Sequence, residues 1–160
     1  MCYRSLHINN NTSYFVDGLS VSGYDVPCGK CLDCLNAKKQ EWQTRIAFEL
    51  SSLYKRGGRA VFLTFTYNNA CLPIYRDKKF TDVDGKPFEV PCFNHKDVLN
   101  FLNRVKVGAF KKYGPNSYKY FMCSEFGKNT KRPHYHAIFF LQPTVNWADF
   151  VKMCRAKWSY

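Results

Sequence analysis

The stretch Tyr118–Leu141, YKYFMCSEFGKNTKRPHYHAIFFL, decides the fold. Two aromatic, apolar-rich runs, Tyr118–Phe126 and His134–Leu141, flank GKNTKRP, seven residues of turn formers and charge. Residues of this kind favour a half-buried pleated surface, and a short polar break between two such runs returns them as neighbouring antiparallel strands. Within a strand, side chains at i and i+2 share a face. His134 and His136 therefore offer two imidazoles to one side, while Tyr135 turns to the other.

Outward from this hairpin, Ala60–Tyr67 (AVFLTFTY) sets Thr64 and Thr66 against Leu63, Phe65 and Tyr67, which predicts a third strand with one more polar face. Three segments carry helical periodicity. Leu35–Tyr54 repeats Trp42, Ile46, Leu50 and Leu53, with Lys38, Lys39 and Arg45 interspersed and Gly57-Gly58 as its stop. His95–Tyr113 repeats Val98, Leu99, Leu102, Val105 and Phe110 before Gly114-Pro115, and Asn146–Trp158 repeats Trp147, Phe150, Val151 and Cys154. Residues 70–94, with Pro73, Pro87, Pro91 and Asp84-Gly85, read as a loop or small hairpin insertion, and residues 1–27 as an irregular polar arm without a core. The order predicts an α+β fold, an antiparallel sheet with helices packed on one face and the other face free for a ligand. Residues 1–59 form an arm, a cysteine-rich metal knuckle and a basic helix; residues 60–160 form the sheet domain.

Composition narrows the class of partner. Against 12 Asp+Glu the chain carries 24 Lys+Arg, a net charge of +12, which points to a polyanion rather than a small neutral metabolite. With 46% hydrophobic and 18% aromatic residues, 160 residues suffice for a buried core and argue against disorder. No run approaches a membrane span and the N-terminus lacks the apolar core of a secretory signal, so the expected setting is intracellular, without a membrane partner. In that setting the Asn-x-Ser/Thr matches at Asn10 and Asn11 read as accidental.

Cys28, Cys31 and Cys34 sit in PCGKCLDC, a double C-x-x-C around Gly29. Thiolates spaced this way converge on one ion across a tight turn, and in an intracellular protein they suit Zn2+ better than a disulfide. Zinc takes four ligands, and the fourth is expected from Cys2 or His7. At the histidine pair the expected third ligand is Glu125, near the end of the preceding strand, whose hard oxygen donor suits Mg2+ or Mn2+. Strand register decides this: Glu125 shares the histidine face only if directly opposed residue numbers sum to an odd value.

These residues resemble a known family, the rolling-circle replication initiators of small single-stranded DNA phages of the microvirus (gokushovirus-like, Microviridae) group, within the HUH endonuclease superfamily. The resemblance rests on Cys2 followed by VPCGKCLDC with a basic helix and Trp42, FLTFTY at 62–67, SEFGKNTKRPHYHAIFF at 124–140, and Lys157-Trp158. It implies an HUH endonuclease (Rep-like) fold and a metal-dependent site-specific nicking and strand transfer on DNA. His134 and His136 would hold a divalent cation that polarises the scissile phosphate, with Glu125 as third ligand and the strand of Thr64 and Thr66 alongside. A tyrosine would attack to leave a 5′-phosphotyrosine and a free 3′-hydroxyl. In the family that tyrosine lies in a Tyr-x-x-Lys helix beyond the tryptophan that Trp158 resembles. This sequence stops at Tyr160, so the nucleophile is expected beyond residue 160, the catalytic tyrosine is left unassigned, and the chain reads as the N-terminal part of a longer initiator.

Positive charge is uneven: residues 104–132 hold eight Lys+Arg and one acidic residue, while 60–103 balance at five each. Lys111, Lys112, Lys119, Lys128, Lys131 and Arg132 are the expected phosphate contacts for single-stranded DNA at a replication origin, and Tyr118 and Tyr120 are candidate stacking surfaces. Host replication machinery is a further partner, and the host cell cytoplasm the expected location. The competing reading is a non-catalytic zinc-containing single-stranded nucleic-acid-binding protein in which the histidines are incidental.

Overall fold

The computed structural model describes residues 2–81 and 83–160, excluding the side chains of residues 10–12, 14, 21 and 78–80. The Asn10 and Asn11 side chains of the glycosylation matches lie outside the described residues. In chain order the elements are β1 (Leu6–Val16), β2 (Leu19–Val26), α1 (Leu32–Lys55), β3 (Arg59–Thr66), β4 (Ile74–Thr81), β5 (Pro87–Pro91), α2 (His95–Tyr113), β6 (Tyr118–Phe126), β7 (Pro133–Leu141) and α3 (Trp147–Lys157). They divide into two units, Met1–Phe48 and Glu49–Tyr160. No described helix is long and apolar enough to cross a membrane.

In the second unit β7 is the central strand of an antiparallel sheet ordered β3-β7-β6. Its alternation places Tyr135, Ala137, Phe139 and Leu141 on one buried face, where Phe65 of β3 joins them. That face receives Phe101, Val105 and Ala109 of α2 and Phe150 and Cys154 of α3, so both helices pack on one side, as their apolar periodicity requires. Burial pushes the Cys154 thiol up to about 12, and it packs as a small apolar group. Asn94 and Asn146 cap α2 and α3 by accepting the backbone N–H of Lys96 and Asp149, each at 3.1 Å. Arg104 closes the other end of α3, donating through Nε and Nη2 to the Lys157 carbonyl at 3.1 and 2.9 Å.

Trp158 follows as a lock. Its Nε1–H donates to the Thr66 carbonyl at 2.8 Å, and its ring lies against Phe65, Phe101, Tyr67 and Tyr135. Phe101 is fully buried, 4.6 Å from Phe65 between ring centroids. Phe101→Ala should therefore cost about 3–5 kcal/mol in equilibrium denaturation, as large aromatic cavities do.

The opposite face is less free than the sequence predicts. At the β3/β7/β6 end bearing Phe140 it is closed: Phe140 is 4% exposed, and Glu49 of α1 pairs with Lys119 at 2.8 Å. Residues 70–94 hold the β4–β5 hairpin, one of the two expected alternatives. The first 27 residues correct the expectation of an irregular arm: β1 and β2 form an antiparallel hairpin. Val16 pairs with Leu19 around Asp17 and Gly18, with φ of 50° and 81°, the left-handed pair of a type I′ turn that Asp-Gly favours. A register break between Asn9 and Tyr14 absorbs the Asn-rich run that obscures the alternation. The expected lack of a core there holds, since every buried hydrophobic residue described belongs to the second unit.

Candidate functional site

The hairpin register assembles the site. Glu125 opposes His134 and Cys123 opposes His136 across β6–β7; Thr66 opposes His134 and Thr64 opposes His136 across β3–β7. Directly opposed residues share a face, so both histidines, Glu125, Cys123 and both threonines stand on the side of the sheet away from α2 and α3. Position 125 against 134 satisfies the odd-sum condition.

His136 is the best-held member. Its Nε2 lies 3.3 Å from Glu125 Oε2, its Nδ1 2.9 Å from Thr64 Oγ1, and the Phe62 ring stacks on it at 5.6 Å with 14° between planes. In the tautomer whose Nδ1–H donates to Thr64, Nε2 turns a bare lone pair toward a carboxylate. Only a cation, proton or metal, makes that contact favourable, and a second hydrogen bond fixing the far nitrogen is how ligating histidines are oriented. His134 lies beside it with ring centroids 6.4 Å apart, and its Nδ1 is buried without a hydrogen-bond partner. A buried polar atom left this way costs ~1–3 kcal/mol unless something binds it. The structure thus joins Glu125 and His136 and leaves His134 adjacent with an unused nitrogen. The three do not yet share one coordination sphere.

Gly127, just past β6, sets the space for His134. A Cβ there would stand 2.9 Å from His134 Nε2 and 3.1 Å from Thr130 Oγ1. Gly127→Ala should displace the ring rather than the backbone, weakening Mn2+ uptake about tenfold in a titration while the melting temperature stays within a few degrees.

A second centre lies in the first unit. Among the described residues, Cys2, Cys28, Cys31 and Cys34 are the group of metal-ligating side chains whose donor atoms all fall within 4.8 Å of one another. Cys28 and Cys34 sulfurs are 3.9 Å apart and Cys31 and Cys2 sulfurs 3.8 Å. Four Zn–S bonds of ~2.3 Å in a tetrahedron require sulfurs ~3.8 Å apart, so the quartet fits zinc. Gly29, φ 72°, makes the turn between the first two thiols. The fourth partner is Cys2; His7 instead bonds its cross-strand neighbour Asp25 at 2.9 Å.

Backbone amides prepare the thiolates. N–H groups of Lys30 and Cys31 lower Cys28 to about 6, and those of Cys28 and Arg4 lower Cys2. Cys34 accepts the Gly29 N–H, which favours its thiolate, yet its thiol neighbours, Cys31 first, together with burial push it up to about 12. Four thiolates cannot share so small a space without a cation among them.

The six expected phosphate contacts separate into two groups. Lys128, Lys131 and Arg132 lie in the β6–β7 turn beside His134. Arg132 is structural as well, donating to Asn69 Oδ1 and the Tyr67 carbonyl at 2.8 Å each. Lys111 and Lys112 end α2 and Lys119 begins β6, at the far end of the strand, roughly 24 Å away at ~3.4 Å per residue. Lys112 pairs with Asp149 and Lys119 with Glu49, both exposed contacts that leave the ammonium groups accessible.

Within the three strands the tyrosines occupy the helix-covered face. Tyr118 and Tyr120 face α2 and α3 with Tyr135, and burial raises Tyr118 to about 12 and lifts Tyr135 as well. No strand tyrosine is directed to the histidines.

A family model of the ORF2-type replication-associated proteins matches residues 60–160, the whole sheet unit from β3 through Trp158. The chain belongs to this family. It is also similar to the replication-associated protein ORF2 of Spiroplasma virus 4, 29% identical over 159 aligned residues, which cover 89% of this chain and 45% of that protein. The chain thus spans less than half the length of this relative. No solved structure matches it.

For a member of this replication-associated family, sequence reasoning passed over two neighbours of His136. Phe62 stacks on it, and the signal was present, because Phe62 shares the face of Thr64 two residues on. Cys123, directly across from it, was counted among isolated thiols; only the register reveals the pairing.

Proposed function

We propose that this chain is the metal-binding and DNA-binding part of a replication initiator of a small single-stranded DNA phage, with an HUH-type centre on the open sheet face. His134, His136 and Glu125 would hold Mn2+ or Mg2+, which supplies Lewis-acid polarisation of a phosphodiester oxygen. Thr64 orients His136, Phe62 shields its ring, and Lys128 and Lys131 draw the flanking phosphates toward the face. The carrying observation is the register that sets a carboxylate against two in-phase histidines in a family of replication-associated proteins. Nicking by a tyrosine needs a residue outside the three strands, because their tyrosines face the core. The chain would act in the host cell cytoplasm, on single-stranded DNA at the replication origin, alongside host replication proteins.

A second reading has its own support. The cysteine quartet is already tighter than the histidine set, as a zinc-containing, non-catalytic nucleic-acid-binding protein would require. The two separate in one experiment: affinity for a single-stranded oligonucleotide measured with Mn2+ and with a chelator too weak to strip thiolate-bound zinc. An initiator centre should tighten binding several-fold with Mn2+ as the cation bridges imidazole and phosphate. Equal affinity under both conditions favours the second reading.

A further inference from the structure

The helix-covered side of the sheet carries an open groove of about 1100 Å³ between α2 and β6, distinct from the histidine face. α2 turns one stripe into it at helical spacing, Asn103, Lys106, Val107, Phe110 and Lys111. Phe110 is 61% and Tyr120 48% exposed, an unusual display for aromatic rings on packed elements. β6 is an edge strand, paired with β7 alone, so its outer backbone groups are open to a ligand among the described strands. Lys106 and Lys111 hold no ion pair among the described residues, and no Asp or Glu lines the groove.

We infer that this groove is a second binding track for single-stranded nucleic acid, with bases stacked on Phe110 and Tyr120 and phosphates met by Lys106, Lys111 and Lys119. Exposed aromatic faces alternating with unpaired cations are the chemistry that holds unpaired bases without regard to sequence. Asn103 and Asn116 add amide groups for base edges. The charge chooses among occupants: an acidic, ring-bearing polymer satisfies both the lysines and the aromatics, whereas an apolar helix leaves the lysines unanswered. Tyr120 stands five residues from Glu125 on β6, roughly 17 Å at ~3.4 Å per residue, and the edge of that strand joins the two faces. A strand held in the groove can therefore run on to the histidine centre. This rests on the DNA-handling reading above and extends it from a cleavage point to a path.

The test uses the full chain and a fluorescent single-stranded oligothymidine. Phe110→Ala with Tyr120→Ala, both exposed positions, should weaken binding by at least about tenfold, while Tyr120→Phe retains the ring and wild-type affinity. Lys106→Gln with Lys111→Gln should flatten the salt dependence by a slope of roughly 1.4, two phosphates' worth for a single strand. Mn2+ uptake should be unchanged in each variant, which keeps the two faces separable. Wild-type oligonucleotide affinity in both double variants would overturn the groove while leaving the histidine centre to its own test. Lost affinity in the groove variants together with no Mn2+ effect on wild type would uphold the groove and overturn the centre. Loss of affinity for an acidic protein but not for the oligonucleotide would assign the groove to a protein partner and overturn this inference.

Discussion

Replacing His134 and His136 together by alanine should lower Mn2+ affinity at the sheet by at least ~100-fold and erase any Mn2+ effect on single-strand binding, while the chain remains folded. Both side chains are only partly buried and lie on the face opposite the core, so their loss opens no cavity among Phe101, Phe139 and Phe150. The effect should be graded by what each residue holds. Glu125→Gln removes the charge that faces His136 at 3.3 Å and should cost nearly as much as a histidine. Thr64→Val removes only the hydrogen bond that orients the His136 ring, and about tenfold is expected, the usual effect of losing an outer partner. Isothermal titration with Mn2+ across these variants checks the ordering. Equal loss for Thr64→Val and the double histidine variant would mean that the threonine acts through the fold.

Stripping zinc, or replacing Cys31 by serine, should unfold the first unit and leave the second intact. The reason lies in the core: none of the buried hydrophobic residues described falls in Met1–Phe48, and Leu6, Phe15 and Leu19 are more than half exposed. A small unit without a core takes its stability from a cross-link or a metal. The cysteine quartet ties the chain start to the β2 end and to the first turns of α1, so its loss frees the whole hairpin. Hydrogen exchange is the appropriate measurement: amides of β1 and β2 should lose protection while those of β7 and α2 keep it. Metal analysis should give about one zinc per chain in wild type and a large loss in Cys31→Ser. Retained protection in β1 and β2 after zinc removal would show that the hairpin stands without the metal.

The sheet unit was legible in the sequence because its signals are local. Alternation around Thr64 and Thr66, the GKNTKRP break, and capped periodicity in α2 and α3 each decide their element within a few residues, and Trp158 completes a core those patterns already imply. The PCGKCLDC spacing likewise identified its own chemistry, and the choice between Cys2 and His7 needed only the hairpin to resolve it, since pairing with Asp25 holds His7 away. What escaped was non-local or masked by composition. The Asp17-Gly18 turn signal was present in the first 27 residues, but the Asn-rich run before it hides the period-two pattern, so the hairpin was missed. Phe62 and Thr64 meet His136 across 72 or more residues of chain, a register that no local pattern fixes. The six cations read as one basic patch because they are near in sequence, whereas an extended β6 carries them to opposite ends. Glu49 on α1 finds Lys119 by the same kind of tertiary approach.

The sheet-face centre is tested most directly by crystals grown with Mn2+ and measured at the manganese absorption edge. An anomalous peak within bonding distance of His136 Nε2 and a Glu125 oxygen, with the His134 ring turned to complete the set, is the expected result. Manganese bound elsewhere in the same crystals, with the space between His134, His136 and Glu125 empty at saturating concentration, would contradict it.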